Sequence, residues 1–553
     1  MIAIWARQLE ISDRLARFLW QRGLRDLDSM KIFLNPSLRG LAPLDAWPGL
    51  RPAAAILAGA LLEGKQLCVW GDYDVDGITS TALVLDFLAR HRFTARHYIP
   101  NRLTEGYGLD REVIKRLADE GVNVLLTVDC GISDIEAVAY ARSLGMTVIL
   151  TDHHLPAEEI PAADGLVNPR LHSCPCPDLA GVGVAFLLMA ATNNELHAAG
   201  RQKVDVRALL DLVALGTLAD VVELSGQNRI LVKNGMLTIA EGQRVGIAAL
   251  KSACNFSPTA SLGAGQIVFT LAPRINAAGR LGSCEVALQL MLTNSRKQAA
   301  ELATELSRLN AERRDEEERI LQEALRQAEK QAEEGSLGLV LHSPDWHPGI
   351  IGIVASRVVE YLNRPTVVLS TVDSFLKGSG RSVTGFDMHA AFSRCSELFL
   401  SFGGHRMAAG LSLPQEHLET FRSRFDSLVA GGLGGDPLEA ECRIDCELNF
   451  SQADFDLLKE LEMLQPFGMG NAEPVFASPP VRVKNVRGRP GFTVLALEDE
   501  TSGLTLAAKA WRNLADMPAD IQGKYIRIAY TPRIDRYNGA ASIELRIKDW
   551  KEA

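Results

Sequence analysis

Long apolar runs are missing from this sequence: no uninterrupted stretch approaches the roughly 20 residues that cross a bilayer. The opening MIAIWARQLE has neither the basic start nor the extended apolar segment of a signal peptide. Cysteine is scarce, nine in 553 residues, scattered and odd in number, which argues against a disulfide framework and for a reducing compartment. A cytoplasmic protein with no membrane segment is therefore expected. An excess of positive charge is also absent, with 58 Lys and Arg against 68 Asp and Glu and a formal net charge of −10. That balance excludes a histone-like wrap around nucleic acid. It leaves nucleic acid open as a substrate, because a local basic path can coexist with an acidic total and clustered metal-binding carboxylates add negative charge. No low-complexity repeat is present, and 47% hydrophobic with 23% charged residues are globular values. At about 150 residues per domain, the length suggests roughly three or four domains.

What is present is a regular alternation. Residues 1–45 form a lead-in with helical periodicity, ending near RGLAPLDAWPGLRP. From Lys65 onward short apolar runs (QLCVW, FTARHYI, NVLLTV, MTVILT, GLVN) alternate with amphipathic stretches, including one near Ser80–Arg90 and DREVIKRLADE. This reads as repeated βα units and a mostly parallel sheet within residues 46–293, the part beyond 181 being largely helical. Residues 294–335 contain no Pro and no Gly before Gly335, with Ser295 suited to the N-cap and Gly335 to C′. A helix of that length spans about 60 Å. Its centre, NAERRDEEER, is polar on nearly every face, which fits a helix bridging two bodies better than a coiled-coil seam. A second α/β unit follows over 336–432 (LGLVLHS, IIGIVASRVVEYL, PTVVLS). A linker-like AGGLGGDP then leads into 433–553, whose evenly spaced short strands suggest a small barrel.

The strongest chemical signal is GDYDVDG, directly after the first strand. Asp72, Asp74 and Asp76 are spaced by two, so an extended or looped segment can aim several carboxylates at one place, where they repel unless a cation is present. An EF-hand loop would need Glu where Leu83 stands, a P-loop would need G-K-S/T, and a plain polar turn is the remaining alternative. The third strand ends in VDCG with Asp129, and the fourth in TDHH with Asp152, His153 and His154. Ligands of open α/β sheets bind along the carboxyl ends of the strands, so three segments deliver Asp and His to one edge. GTLADVVEL adds Asp220 and Glu223 within an apolar stretch, where helix capping is the competing reading. Carboxylates with imidazole and no thiolate suit Mn²⁺ or Mg²⁺. Cys174/Cys176 and Cys442/Cys446 make no convincing zinc pattern and read as structural.

In this order and roughly at these separations, GDYDVDG, VDCG, TDHH and GTLADVVEL resemble the four signature motifs of the DHH phosphoesterase superfamily. YIPNRLTEGYGL, LAPRINAAGRLG, WHPGIIGIVASR, GSGRS, FGGHRMAAGL and LQPFGMGNAEPVF extend the resemblance to its bacterial single-strand-specific DNA exonucleases over about residues 45–553. The resemblance implies an α/β fold with a DHH parallel-sheet domain, a smaller DHHA1 α/β domain joined by the long helix, and a C-terminal OB-fold-like barrel. It implies two Mn²⁺ or Mg²⁺ ions, 5′-to-3′ digestion of single-stranded DNA, and a role in repair and recombination. Single-strand-binding protein and a helicase are the implied partners of a monomer. Carried over by motif, Asp74 is a ligand of one ion and Asp76 of the other, with Asp129 bridging. His153 and Asp220 complete the donors of the second ion, His154 faces the scissile phosphate, Asp72 joins the cluster, and Asp152 orients the histidines. Superfamily members often carry His where Trp70 stands, so the first ion's donors must be completed differently, with Asp72 the candidate.

An exonuclease must also recognise an end. Arginine forks, hydroxyls and glycine amides suit a terminal phosphate, and the resemblance places Arg102, Arg280, Ser379 and Arg381 around it, with His405 on the far wall of the cleft. For each arginine a surface salt bridge is the ordinary alternative. The tail carries Arg482, Arg487, Arg489, Lys509, Arg512, Lys524, Arg527, Arg533 and Arg536, with Tyr530, Tyr537 and Trp511 as candidate base stackers or barrel-core aromatics. Three other readings compete: a phosphodiesterase for short oligonucleotides or cyclic dinucleotides, which would lack the terminal barrel; a phosphatase with an aspartyl nucleophile in DVDGI; and a replication scaffold without catalysis.

Overall fold

The five apolar runs of the first half become β1 (Leu67–Trp70), β2 (Arg96–Tyr98), β3 (Val124–Val128), β4 (Thr147–Thr151) and β5 (Gly165–Val167) in a computed structural model. It describes residues 1–102, 105–434, 441–489, 491–511, 519–535 and 541–553. The strands pair in parallel in the order β2-β1-β3-β4-β5. β1 and β3 are buried along their whole length, as expected of a parallel sheet covered on both faces. Alternate residues face opposite ways: Leu67 and Val69 join a core with the helices Leu50–Leu62, Val75–Arg90 and Gly181–Ala198. Cys68 and Trp70 join a smaller one with the helices Arg111–Asp119 and Ile135–Ser143. The order reverses between β1 and β3, so their carboxyl ends open onto the crevice where such sheets bind ligands.

The long helix runs from Arg296 to Glu333, 38 residues, or about 57 Å. Ser295 Oγ accepts a hydrogen bond from the Gln298 amide, and Gly335 follows the C-cap with φ 95°. Ala299, Ala303, Leu306 and Leu309 belong to the first domain's core, while Ile320, Ala324 and Ala328 pack with Leu339, Leu341 and Val354 of the second unit. Each half is thus anchored in a different body. In that second unit β6 (Leu339–Ser343), β7 (Thr366–Val372), β8 (Phe375–Arg381), β9 (Ser401–Gly404) and β10 (Ala408–Pro414) form a mixed sheet ordered β6-β7-β8-β10-β9. Only β6 and β7 run parallel.

The tail holds β11 (Cys446–Glu447), β12 (Phe476–Ala477), β13 (Val481–Arg489), β14 (Phe492–Asp499), β15 (Leu504–Trp511), β16 (Tyr525–Asp535) and β17 (Ser542–Glu552). β13 to β17 close on themselves, with β15 and β17 parallel and β16 paired to both β17 and β13. This is a five-stranded barrel closed by a short contact at the start of β13.

Three features differ from the sequence reading. The helix expected near Ser80 begins at Val75, so the aspartate motif is a helix start and not an extended loop: Asp74 is the N-cap, its Oδ1 accepting from the Gly77 amide. The linker composition at 430 is still helical to Leu433, and Gly432 packs against the Phe386 ring with little room for a side chain; 435–440 lie outside the described residues. The lead-in helices Asp13–Gln21 and Leu27–Leu34 bury Leu15, Phe18, Leu19, Met30 and Leu34 in the barrel's core, beside Leu448, Phe450 and Leu461.

Candidate metal centre and end-binding pocket

The crevice gathers carboxylates from four segments. Asp72 follows β1, Asp76 lies in the first turn of the next helix, Asp129 follows β3 and Asp220 caps the helix Leu210–Ala219. His153 Nε2 stands 3.1 Å from Asp129 Oδ1, 3.5 Å from Asp220 Oδ2 and 4.0 Å from Asp76 Oδ2. Donor atoms converge in the sets Asp76–His153–Asp220, Asp72–Asp74–Asp129 and Asp129–His153–His154, so Asp129 joins two of them. Asp129 has φ 64°, a left-handed conformation that Asp tolerates better than most residues. The amides of Gly181 and Val182 donate to Asp76 at 2.8 and 3.0 Å. A side chain at Gly181 would stand 2.5 Å from Asp129 Oδ1, and one at Gly216 2.7 Å from Asp76 Oδ1.

Asp72 Oδ1, Asp129 Oδ1, Asp220 Oδ2 and both ring nitrogens of His153 are buried without a hydrogen-bond partner. Burial, reinforced by neighbouring carboxylates, raises Asp72, Asp129 and Asp220 well above the ordinary range and Asp76 to about 7. Burial and the nearby His154 push His153 down to about 3, leaving a neutral imidazole with one open lone pair. Crowded acids with orphaned oxygens and a neutral imidazole are the donor set a hard divalent cation fits, and it would remove both costs.

Asp152 has a different part. Its Oδ1 lies 2.7 Å from His154 Nδ1 and accepts from the His153 and His154 amides, and its Oδ2 accepts from the Ile132 amide. Burial works against its charge, but these contacts hold it below the usual carboxylate value. Burial would likewise lower His154, yet Asp152 raises it above its ordinary value.

Facing the carboxylates is a set of guanidinium groups. Arg280 donates to the Gly349 carbonyl at 2.8 Å and is driven down to about 9 by burial and by the charges of Arg102, Arg313 and Arg381. Arg381 donates to Ser379 Oγ and the Gly380 carbonyl and is lowered by burial and by Arg102. Arg102 lies over the Tyr73 ring at 4.9 Å. The helix Ile351–Leu362 begins beside them, and a side chain at Gly352 would stand about 3 Å from Ser379 Oγ and Arg381 Nη2. Cations crowded without carboxylate partners among the described residues, next to a helix N-terminus, are the chemistry that suits an anion. His405, in the turn between β9 and β10, acts electrostatically on His153 and His154 from the second unit.

The chain carries the DHH family N-terminal domain at residues 66–217, the DHHA1 domain at 336–431 and the RecJ OB domain at 444–549. It is 38% identical to the single-stranded-DNA-specific exonuclease RecJ of Dickeya dadantii over 97% of this chain and 95% of that one. The chain belongs to the RecJ family. The RecJ of Escherichia coli is 40% identical, over 84% of this chain and 83% of that one. The crystal structure of Thermus thermophilus RecJ with Mn²⁺ matches at TM-score 0.84 and 32% identity, covering 100% of this chain and 78% of that one.

Several residues around the RecJ site escaped sequence reasoning. The Tyr107 hydroxyl lies 3.2 Å from His154 Nδ1, and its ring meets the imidazole edge-on at 5.7 Å; it sits inside YIPNRLTEGYGL, where only Arg102 was singled out. Arg170 Nε donates to the His153 carbonyl and Asn168 Nδ2 to that of His154. Their signal was the run VNPR after β5, which carries no motif by itself. In the tail, Tyr530 is fully buried and donates to the Leu448 carbonyl, so it is a barrel-core residue. Trp511 is 42% exposed and stacks on Phe492 at 4.5 Å. Lys509, Lys524, Arg527 and Arg533 are paired with acids, which blunts the expected basic bias; Arg512, Arg536 and Tyr537 lie outside the described residues.

Proposed function

We propose that this chain is a 5′-to-3′ exonuclease of single-stranded DNA that works by two-metal-ion phosphodiester hydrolysis in repair and recombination. The observation that supports it is the meeting, in one crevice, of orphaned carboxylate and imidazole donors with a pocket of crowded arginines. Asp76, His153 and Asp220 hold one ion, Asp72 and Asp74 the other, and Asp129 serves both. When bound, such a pair acidifies water and stabilises the attacking and leaving oxygens of the displaced phosphate.

The remaining roles belong to the protein. Asp152 engages His154 Nδ1, which turns Nε2 toward the crevice as the proton-bearing atom beside the scissile phosphate. Arg102, Arg280, Arg381 and Ser379 hold the terminal 5′ phosphate, and His405 bounds the far side. The long helix keeps the metal-binding and end-binding bodies at fixed separation, and the cleft between them admits one strand and rejects a duplex. The exposed Trp511, stacked on the half-buried Phe492 with Lys509 5.9 Å over the Phe492 ring, supplies a stacking surface for a longer strand. This favours polynucleotide over the dinucleotide reading. The enzyme acts as a cytoplasmic monomer, with single-strand-binding protein and a helicase presenting its substrate.

The deciding experiment incubates the protein with Mn²⁺ or Mg²⁺ and strands labelled at either end, beside duplex controls. Early release of the 5′ label from single strands alone is expected. Release from the 3′ end first, or equal digestion of duplex, overturns the proposal.

A further inference from the structure

The barrel's loop 464–471 does not touch substrate in the scheme above, yet it is pressed against the segment that carries Asp220. The Leu224 amide donates to the Met469 carbonyl at 2.8 Å. A side chain at Gly468 would stand 2.8 Å from Leu224 Cδ1, and one at Gly470 3.3 Å from Glu223 Cβ. Between Asp220 and this contact lies Val221 with φ 61°, a conformation that costs a β-branched residue energy and persists only where the surroundings impose it.

Two adjacent residues on the helix Gly226–Glu241 tie the parts together. Asn228, fully buried, donates to the carbonyls of Glu223 and Asp178 and accepts from the Ala180 amide. It therefore joins the Asp220 segment to the helix start whose Gly181 and Val182 amides hold Asp76. Arg229 points the other way. It is 2% exposed, donates to the carbonyls of Phe33, Leu464 and Gln465, and lies 3.8 Å over the Phe33 ring. No carboxylate pairs with it among the described residues. Lys233 adds a bond to the Gln465 carbonyl, and Asn471 fastens the loop internally through the Leu464 and Pro466 carbonyls. A buried guanidinium satisfied only by carbonyls from two other parts of the chain is a clamp, since its desolvation is offset only when all of those parts are docked.

We infer that Arg229 and the loop 464–471 are positioning elements for the metal centre: docking of the barrel and the N-terminal helices holds the strained Asp220–Glu223 segment so that Asp220 faces Asp76 and His153. This rests on the metal-centre reading above. The barrel then has a second function beside strand binding, which is to complete the second ion's donor set.

The test titrates Mn²⁺ into full-length, metal-stripped protein by calorimetry. Arg229→Met is expected to weaken one of the two Mn²⁺ sites about ten-fold or more and leave the other near wild type. Arg229→Lys, which keeps donors in place, is expected to recover part of the loss. The Mn²⁺ concentration for half-maximal hydrolysis rises while the rate at saturating Mn²⁺ stays within about three-fold, a split that general loosening would not give. Metal-free binding of a 5′-phosphorylated strand reports that Arg229→Met is folded. If it is not, Gly470→Ala, which strains the loop's left-handed backbone at φ 71° and crowds Glu223, carries the test and is expected to weaken the same site several-fold. Asp220→Asn separates the two ideas. If it binds both ions as wild type does, the metal-centre reading fails. If it loses one ion while Arg229→Met and Gly470→Ala bind both normally, only the positioning role is overturned.

Discussion

Replacing Arg280 by Met will stabilise the DNA-free protein and weaken its hold on a 5′ phosphate, two effects of opposite sign from one cause. Burial and the charges of Arg102, Arg313 and Arg381 lower Arg280 from 12.5 to about 9, which corresponds to about 5 kcal/mol of disfavoured charge in the folded state. Methionine follows the same aliphatic path without the charge but loses the bond to the Gly349 carbonyl, a loss of about 2 kcal/mol. The net gain of about 3 kcal/mol corresponds to a melting temperature raised by roughly 3 to 6 °C in so large a chain. Because the folded value lies below the unfolded one, the folded state releases its proton first as pH rises. The wild-type penalty is therefore complete at neutral pH and is relieved as pH climbs through about 9, so the two melting curves approach each other there. Binding moves the other way: loss of one charged donor to phosphate weakens affinity about 30-fold, and only for strands with a 5′ phosphate. Thermal melts in EDTA, with and without a phosphorylated oligonucleotide, read both effects. A variant that melts below wild type at neutral pH would refute the crowding argument, and unchanged affinity would remove Arg280 from the pocket.

Asp129→Asn will reduce hydrolysis at least about 100-fold with a near-native melting temperature, since Asn also accepts the left-handed backbone at φ 64°; more than a few per cent of wild-type rate counts against bridging. Metal-free protein will lose stability as pH rises, because a carboxyl such as Asp76, raised to about 7, favours the fold only while it can stay protonated. Mn²⁺ will accordingly raise the melting temperature more at pH 8 than at pH 5.5, and equal increments at both would sink that reasoning. Asp152→Asn removes the charge that raises His154, so the pH–rate profile will shift toward lower pH with a fall of about 10- to 100-fold in kcat; an unshifted profile would release His154 from its proton-bearing role.

The order of elements and the edge on which the site lies were legible in the chain itself. Strand and helix periodicities are local, and β1, β3 and β4 are each followed within two residues by an acid or imidazole, so parallel pairing alone brings those ends together. Capping geometry was less so: Asp74 reads equally as loop or helix start until the Gly77 amide is seen to donate to it. Long-range packing left no local trace. Phe18 and Leu19 look like any amphipathic helix, and that they belong with Leu448 and Leu461, more than 400 residues away, is a matter of which apolar faces remain uncovered once each domain has closed. Gly181 and Gly216 read as ordinary helix residues, yet each leaves room for a carboxylate. Residue types and their spacing thus determined the chemistry available. Which oxygens lack a partner, which arginines crowd one another, and which strained turn is clamped by a distant loop were decided by the folded chain, because burial and the exclusion of water exist only there.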